Sequence, residues 1–198
     1  MATSTEQIKK LRELTGAGVL DAKHTLEEHN GDFDKAFAIL KEKGMKTAAK
    51  KAERVAKQGL VETYVHGGGK IGVVVEVNCE TDFVAATPEF QTLAHDLALQ
   101  IAATNPKYVS QADIPANVVE AQKKIFADAA AAEGKPANIV ERIVQGKLES
   151  FYKESCLLLQ PFVRDDKTTV NDLIQATVAK LQENIVVRRF VRFELGEA

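Results

Sequence analysis

Leu60-Val61-Glu62-Thr63-Tyr64-Val65-His66 alternates along its length and is rich in β-branched and aromatic side chains, the pattern of a half-buried strand. Gly67-Gly68-Gly69 reads as a turn, and Lys70-Ile71-Gly72-Val73-Val74-Val75-Glu76-Val77-Asn78-Cys79-Glu80 as a longer second strand. Alternation puts Val73, Val75, Val77 and Cys79 on one face of that strand, and Gly72, Val74, Glu76, Asn78 and Glu80 on the other. The glycines join strand to strand. A phosphate loop instead runs from a strand into a helix and needs G-x-x-x-x-G-K-[ST], which this turn lacks.

Upstream of the hairpin the period is helical. Residues 4–15 form a first helix, capped by Thr3 or Ser4 with Glu6 or Gln7 completing a capping box, and striped by Ile8, Leu11 and Leu14. It stops at Thr15-Gly16-Ala17-Gly18, where glycine allows positive φ and close backbone approach. This loop reads either as a tight turn alone or as a docking edge. A second helix spans about residues 19–29 and ends at Asn30-Gly31. Asp32 caps a third, whose Phe33, Ala36, Phe37 and Leu40 recur at i, i+3, i+4 and i+7. So small a bundle has no room for an enclosed active site, and its pattern is similar to a ubiquitin-associated-type three-helix module. Lys41 to Lys57 carries Lys41, Lys43, Lys46, Lys50, Lys51, Arg54 and Lys57 against Glu42 and Glu53, and reads as a connecting helix with a solvated face. No aromatic residue interleaves with these cations, so bases would find no stacking platform.

Downstream, Thr87 caps a helix that starts at Pro88 and runs to about Ala103. Further helices are expected at about 115–133 and 136–154, separated by Gly134-Lys135-Pro136, and at 169–183. Leu157 to Val163 reads as extended, Arg164-Asp165-Asp166 as a solvated turn, and Ile185 to Phe193 as a strand that pairs with the hairpin. The expected fold class is α+β. A three-helix N-terminal module (1–52) precedes a core and dimerisation domain (53–198) in which a small antiparallel sheet is packed with helices.

Composition narrows the function classes. The chain has 198 residues, 45% apolar and 27% charged, as in an ordinary globular protein. Its net charge of -2 is a poor electrostatic footprint for a dedicated nucleic-acid binder. MATSTEQIKK lacks the apolar stretch of a secretory signal, and no apolar run approaches membrane-spanning length. With Cys79 and Cys156 far apart and in no metal-ligand spacing, reduced thiols and a cytoplasmic location are expected. The histidines His24, His29, His66 and His95 form no H-E-x-x-H, and nothing suggests an acid–base pair, a metal site or a cofactor.

One segment stands apart. After Asn78-Cys79-Glu80 the strand exits into Thr81-Asp82-Phe83-Val84-Ala85, placing an acid and a bulky ring just before the Thr87-Pro88 cap. Phe83 folding back onto the core is the plain alternative. Here a resemblance enters. Leu11-Arg12-Glu13-Leu14-Thr15-Gly16-Ala17-Gly18-Val19-Leu20-Asp21-Ala22-Lys23 resembles the first signature of the translation elongation factor Ts family, and Glu76-Val77-Asn78-Cys79-Glu80-Thr81-Asp82-Phe83-Val84 resembles the second. Asn30-Gly31-Asp32, Gln160-Pro161-Phe162-Val163 and Arg192-Phe193-Glu194-Leu195-Gly196 are similar to that family as well, in order along nearly the whole chain.

The resemblance implies a guanine-nucleotide exchange factor, not an enzyme, with elongation factor Tu as partner. It implies docking on the partner's G domain through Leu11, Val19 and Leu20. Val19-Leu20 replaces the family's frequent methionine pair and Ala22 a common cysteine, and both changes keep an apolar surface. It implies further that Thr81, Asp82, Phe83 and Val84 intrude near the partner's Mg²⁺ and phosphate site. Asp82 would act on the metal site or cap the helix that follows. The length is similar to the family's short forms and implies a homodimer, without membrane or direct nucleic-acid binding. The competing expectations are a helical adaptor for ubiquitin-type ligands, a ribosome-associated RNA-binding protein using the basic segment, and a small enzyme using Cys79.

Overall fold

The computed structural model describes residues 4–134 and 136–197. Thr3 as an alternative cap and Lys135 in the expected break lie outside the described residues. In chain order the elements are α1 (Thr5–Thr15), α2 (Val19–Glu28), α3 (Phe33–Lys51), β1 (Gln58–His66), β2 (Ile71–Cys79), α4 (Asp82–Ala85), α5 (Pro88–Thr104), α6 (Ala116–Ala132), α7 (Ala137–Ser155), β3 (Pro161–Phe162), β4 (Asp165–Thr169), α8 (Val170–Leu181) and β5 (Val186–Glu194). They divide into two compact units. One comprises the chain up to Ala102 together with Asn171 onward, and the other is Ala103–Val170.

The first unit holds the N-terminal helices and the sheet. Ser4 caps α1 with the reciprocal Gln7 contact of a capping box, and Asp32 caps α3 by accepting from Lys35 N–H at 3.0 Å. Leu11, Ala22, Leu26, Ala36 and Leu40 form the bundle's core, with Ile8, Ala17, Phe33 and Phe37 packed around it. Gly16 ends α1 in the left-handed region at φ 68, and a Cβ there would stand 2.3 Å from the Ala176 carbonyl oxygen of α8. This one glycine therefore serves both a turn and a close approach, whereas Gly18 caps α2 at an ordinary φ of -64.

The connecting helix expected after the bundle is the second half of α3, which runs unbroken through Gly44 to Lys51. Residues 52–57 are not helical. Nor is the basic face merely solvated. Lys41 Nζ pairs with Asp172 at 2.9 Å, Lys43 with Asp21 at 2.6 Å, and the buried Lys51 donates to the Gln182 carbonyl at 2.8 Å. Packing against α8 explains the extension, since a Cβ on Gly44 would stand 3.7 Å from the Ala179 Cβ and Ala48 is buried.

The sheet has strand order β1-β2-β5, antiparallel throughout, with β2 central. Val73, Val75, Val77 and Cys79 are buried as alternation requires. Helix α5 covers that face: His95 contacts Glu62 and Tyr64, and the Ala102 carbonyl accepts from Arg192. The opposite face is open. Register aligns Val65 with Gly72 and Phe193, and Val74 with Val191, and Val61, Val65, Val74, Val191 and Phe193 are all exposed.

In the second unit α6 and α7 lie side by side, with Lys147 Nζ 5.8 Å from the Phe126 ring centre. Leu157 to Val163, expected as one extended piece, is a short 3-10 turn at Leu157–Leu159 followed by β3. Asp165-Asp166, expected in a solvated turn, opens β4, which pairs antiparallel with β3. A two-residue strand leaves too little alternation to be recognised from sequence.

Candidate partner-docking surface and strand exit

The exit of β2 is built from three separated parts of the first unit. Thr81 caps the single turn α4, its Oγ1 accepting from Val84 N–H at 3.3 Å, while Thr87 caps α5 through Phe90 N–H at 3.3 Å. The cap of α4 is therefore Thr81, and Asp82 occupies the first turn. Phe83 does not fold back onto the core. It is 82% exposed and extends from a helix of four residues that buries none of them.

What holds this turn is the loop between α8 and β5. The Glu183 carboxylate accepts from Glu80 N–H at 3.1 Å and Thr81 N–H at 3.0 Å through one oxygen, and from the Thr81 hydroxyl at 2.6 Å through the other. Asn184 N–H donates to Glu80 Oε1 at 2.7 Å, and its amide donates to the Arg54 and Ala52 carbonyls at 2.8 and 3.3 Å. Arg54 approaches the same Glu80 oxygen at 3.6 Å. Inside the exit, the Cys79 thiol donates to the Thr81 carbonyl at 3.1 Å. Burial pushes that thiol's pKa up, and the Glu183 charge adds to the effect, so it is held protonated and inert.

The second candidate surface is the start of α2. Val19 and Leu20 are 49% and 70% exposed, and Leu14 beside the loop is 42% exposed. Leu11 differs from its expectation: it is 0% exposed at the centre of the bundle core, because the stripe of α1 turns it toward α2 and α3. It supports the surface without presenting any of it. The structure thus brings Thr81, Asp82, Phe83 and Val84 together on one turn, and Val19 with Leu20 on one helix start.

Sequence reading missed Glu183 and Asn184. They lie in a short loop with no period of their own, and their partners are more than a hundred positions away, with separations of 103, 102 and 104 residues. Among the described residues, no group of three or more His, Cys, Asp or Glu side chains is placed to hold a metal ion. No described helix is long and apolar enough to cross a membrane.

Known proteins agree with these motifs. The sequence pattern of the family described as Elongation factor TS matches residues 2–197. A protein named Elongation factor Ts from Caldanaerobacter subterraneus subsp. tengcongensis is 58% identical over 194 residues, covering 98% of this chain and 97% of its own length. One of that name from Carboxydothermus hydrogenoformans is 56% identical over 194 residues, covering 98% and 89%. Another, from Coprothermobacter proteolyticus, is 55% identical over 197 residues and is matched along 100% of both chains. With both signatures in place, one on the α1–α2 edge and the other at the exit of β2, the chain belongs to the elongation factor Ts family of translation elongation factors.

Proposed function

We propose that the chain is a guanine-nucleotide exchange factor that binds elongation factor Tu in its GDP form and promotes GDP release. Residues 1–52 act as the docking module, through Val19 and Leu20, and residues 53–198 as the core and dimerisation domain. Phe83, with Thr81, Asp82 and Val84, disturbs the partner's Mg²⁺ and phosphate site. The observation that carries this reading is the exposed Phe83 ring, 82% accessible on a turn fixed by hydrogen bonds from a distant loop. A ring held out from a turn fixed in this way, within the second signature, is what insertion into a partner's site requires.

Exchange of this kind is negative coupling between two ligands of one protein. The factor favours the nucleotide-free partner, and by linkage nucleotide weakens the factor to the same extent. No covalent step is required, so the chain acts without being an enzyme. Burying a phenylalanine contributes about 1.5–3 kcal/mol, or roughly one to two powers of ten. The ring alone does not supply a large acceleration, and loosening of the metal and phosphate contacts adds to it.

The open face of the sheet supports a homodimer. A two-fold axis lays such a face on its own copy, and Val61, Val65, Val74, Val191 and Phe193 give it an apolar centre. The place of action under this reading is the cytoplasm, where its partner works.

The test is stopped-flow release of a fluorescent GDP from purified elongation factor Tu. The chain should accelerate release, and Phe83→Ala should slow the accelerated phase about tenfold. Equal release with Phe83→Ala would sink the wedge. Light scattering should give twice the chain mass, and the chain mass itself would remove the dimer.

A further inference from the structure

We infer that Glu183 is the positioning residue that aims Phe83, an inference resting on the reading of Phe83 as the displacing group. The argument starts from the size of α4. A four-residue helix is below the length at which helices form by themselves, because nucleation fixes several dihedrals for a single hydrogen bond. Burial holds it only in part, since Val84 and Ala85 are half-buried, none of its residues is fully buried and Phe83 itself is exposed. The direction of the Phe83 ring therefore depends on polar contacts around residues 80–84.

Glu183 makes the decisive ones. Both of its oxygens are engaged: one receives the Glu80 and Thr81 N–H groups, the other the Thr81 hydroxyl. Hydrogen bonds to an ionised acceptor are the stronger kind. The hydroxyl contact has a second consequence. By accepting the hydrogen bond that the Thr81 hydroxyl donates, Glu183 turns a lone pair of Thr81 Oγ1 toward Val84 N–H, which is the bond that caps α4. One side chain thus fixes both the backbone entering the turn and the rotor that closes it.

Glu183 is itself immobilised from both sides. Before it, Gln182 holds a left-handed φ of 62 and its carbonyl is gripped by the buried Lys51 at 2.8 Å. After it, Asn184 is tied to Glu80 and to the Ala52 and Arg54 carbonyls. Those contacts place the brace on the end of α3. The turn that carries Phe83 and the helical module that carries Val19 and Leu20 are therefore braced through the same short loop.

The experiment measures maximal rate and half-saturating concentration for release of fluorescent GDP from elongation factor Tu, using full-length variants. Glu183→Ala, which removes all three hydrogen bonds, should lower the maximal rate about tenfold. Its half-saturating concentration should stay within about twofold, as the docking surface is untouched. Glu183→Gln should restore part of the rate, because its amide oxygen still accepts from both N–H groups, while its NH₂ donates to Thr81 Oγ1 and no longer orients that hydroxyl. In a Phe83→Ala background, Glu183→Ala should add nothing.

Equal release with Phe83→Ala would remove the underlying reading and this inference with it. A slow Phe83→Ala beside a normal Glu183→Ala would overturn the positioning role alone. Multiplying effects in the double variant, or a Glu183→Gln as slow as Glu183→Ala, would overturn it as well. If Glu183→Ala does not fold, Glu183→Asp, one methylene shorter, reads the same contacts: it should be slow at an unchanged half-saturating concentration, and a normal rate would overturn the inference.

Discussion

Two of the exposed apolar surfaces of this chain are held in place by opposite means. Val19 and Leu20 ride on α2, which is fixed by a hydrophobic core of Leu11, Ala22, Leu26, Ala36 and Leu40. Phe83 rides on a single turn with no buried residue, fixed by hydrogen bonds to Glu183 and through Thr81. Non-directional packing tolerates some repositioning, whereas a few directed bonds define an orientation and fail one at a time. A docking surface needs mainly shape and area. Under the proposed function a group that enters a small polar site needs a direction, and the polar brace would supply it.

The comparison breaks first in the core. Leu11→Ala should destabilise the fold by about 2–5 kcal/mol, the cost of deleting a buried leucine, read by urea denaturation. Leu20→Ala should leave stability within about 0.5 kcal/mol and instead weaken the complex with elongation factor Tu in a titration. A surface residue that unfolds the chain, or a core residue that affects binding alone, would reverse the assignment. Gly16→Ala comes next. The left-handed backbone costs an alanine about 1–2 kcal/mol, and the Cβ meets the Ala176 carbonyl at 2.3 Å, so the loss should exceed that figure.

On the other side of the comparison, Phe83→Ala should leave the denaturation midpoint within about 0.5 kcal/mol of the parent, because the ring packs on little. A large shift would mean that the ring stabilises the fold. Slow reaction is expected of Cys79 and Cys156 toward thiol reagents in the folded chain, since both are 0% exposed and burial raises both thiol pKa values. Rapid alkylation without unfolding would show that the exit of β2 opens.

The smallest effect is in the sheet. The Arg189 hydrogen bond at 2.8 Å holds the Glu76 carboxyl below its ordinary pKa of 4.5. A lowered folded-state pKa adds stability that is present above 4.5 and lost as pH falls through the folded value. Glu76→Gln should therefore cost a little stability near neutrality and flatten the profile below pH 4.5, its difference from the parent vanishing as pH falls through the folded value.

Local chemistry explains what could be read from the residues alone. The Ser4–Gln7 capping box, the Asp32 cap, Pro88 at a helix start and the alternation of β2 each involve neighbours within a few positions, so their signals survive in one dimension. Pairing of β5 with β2 was also legible, as the last apolar strand needs a partner and the hairpin offers one. The continuation of α3 was not. Lysine and alanine between residues 41 and 51 look like a solvated spacer until α8 comes to pack against them. Leu11, which the resemblance implied for docking, is covered for a similar reason: a stripe of apolar residues shows which side of a helix is apolar, and only neighbours decide which member of it is covered.

By itself the sequence determined the α+β class, the limits of most helices, the two signatures and the membership they carry. It did so because capping, periodicity and motif spacing are properties of contiguous residues. The tertiary structure alone decided that Phe83 stands in solvent, that Leu11 does not, and that Glu183 bonds the turn at the exit of β2. Leu11 is covered by Ala22, Leu26, Ala36 and Leu40 of the neighbouring helices, and Glu183 meets Glu80 and Thr81 across about a hundred positions only when α8 and β5 bring the end of the chain back to the exit of β2.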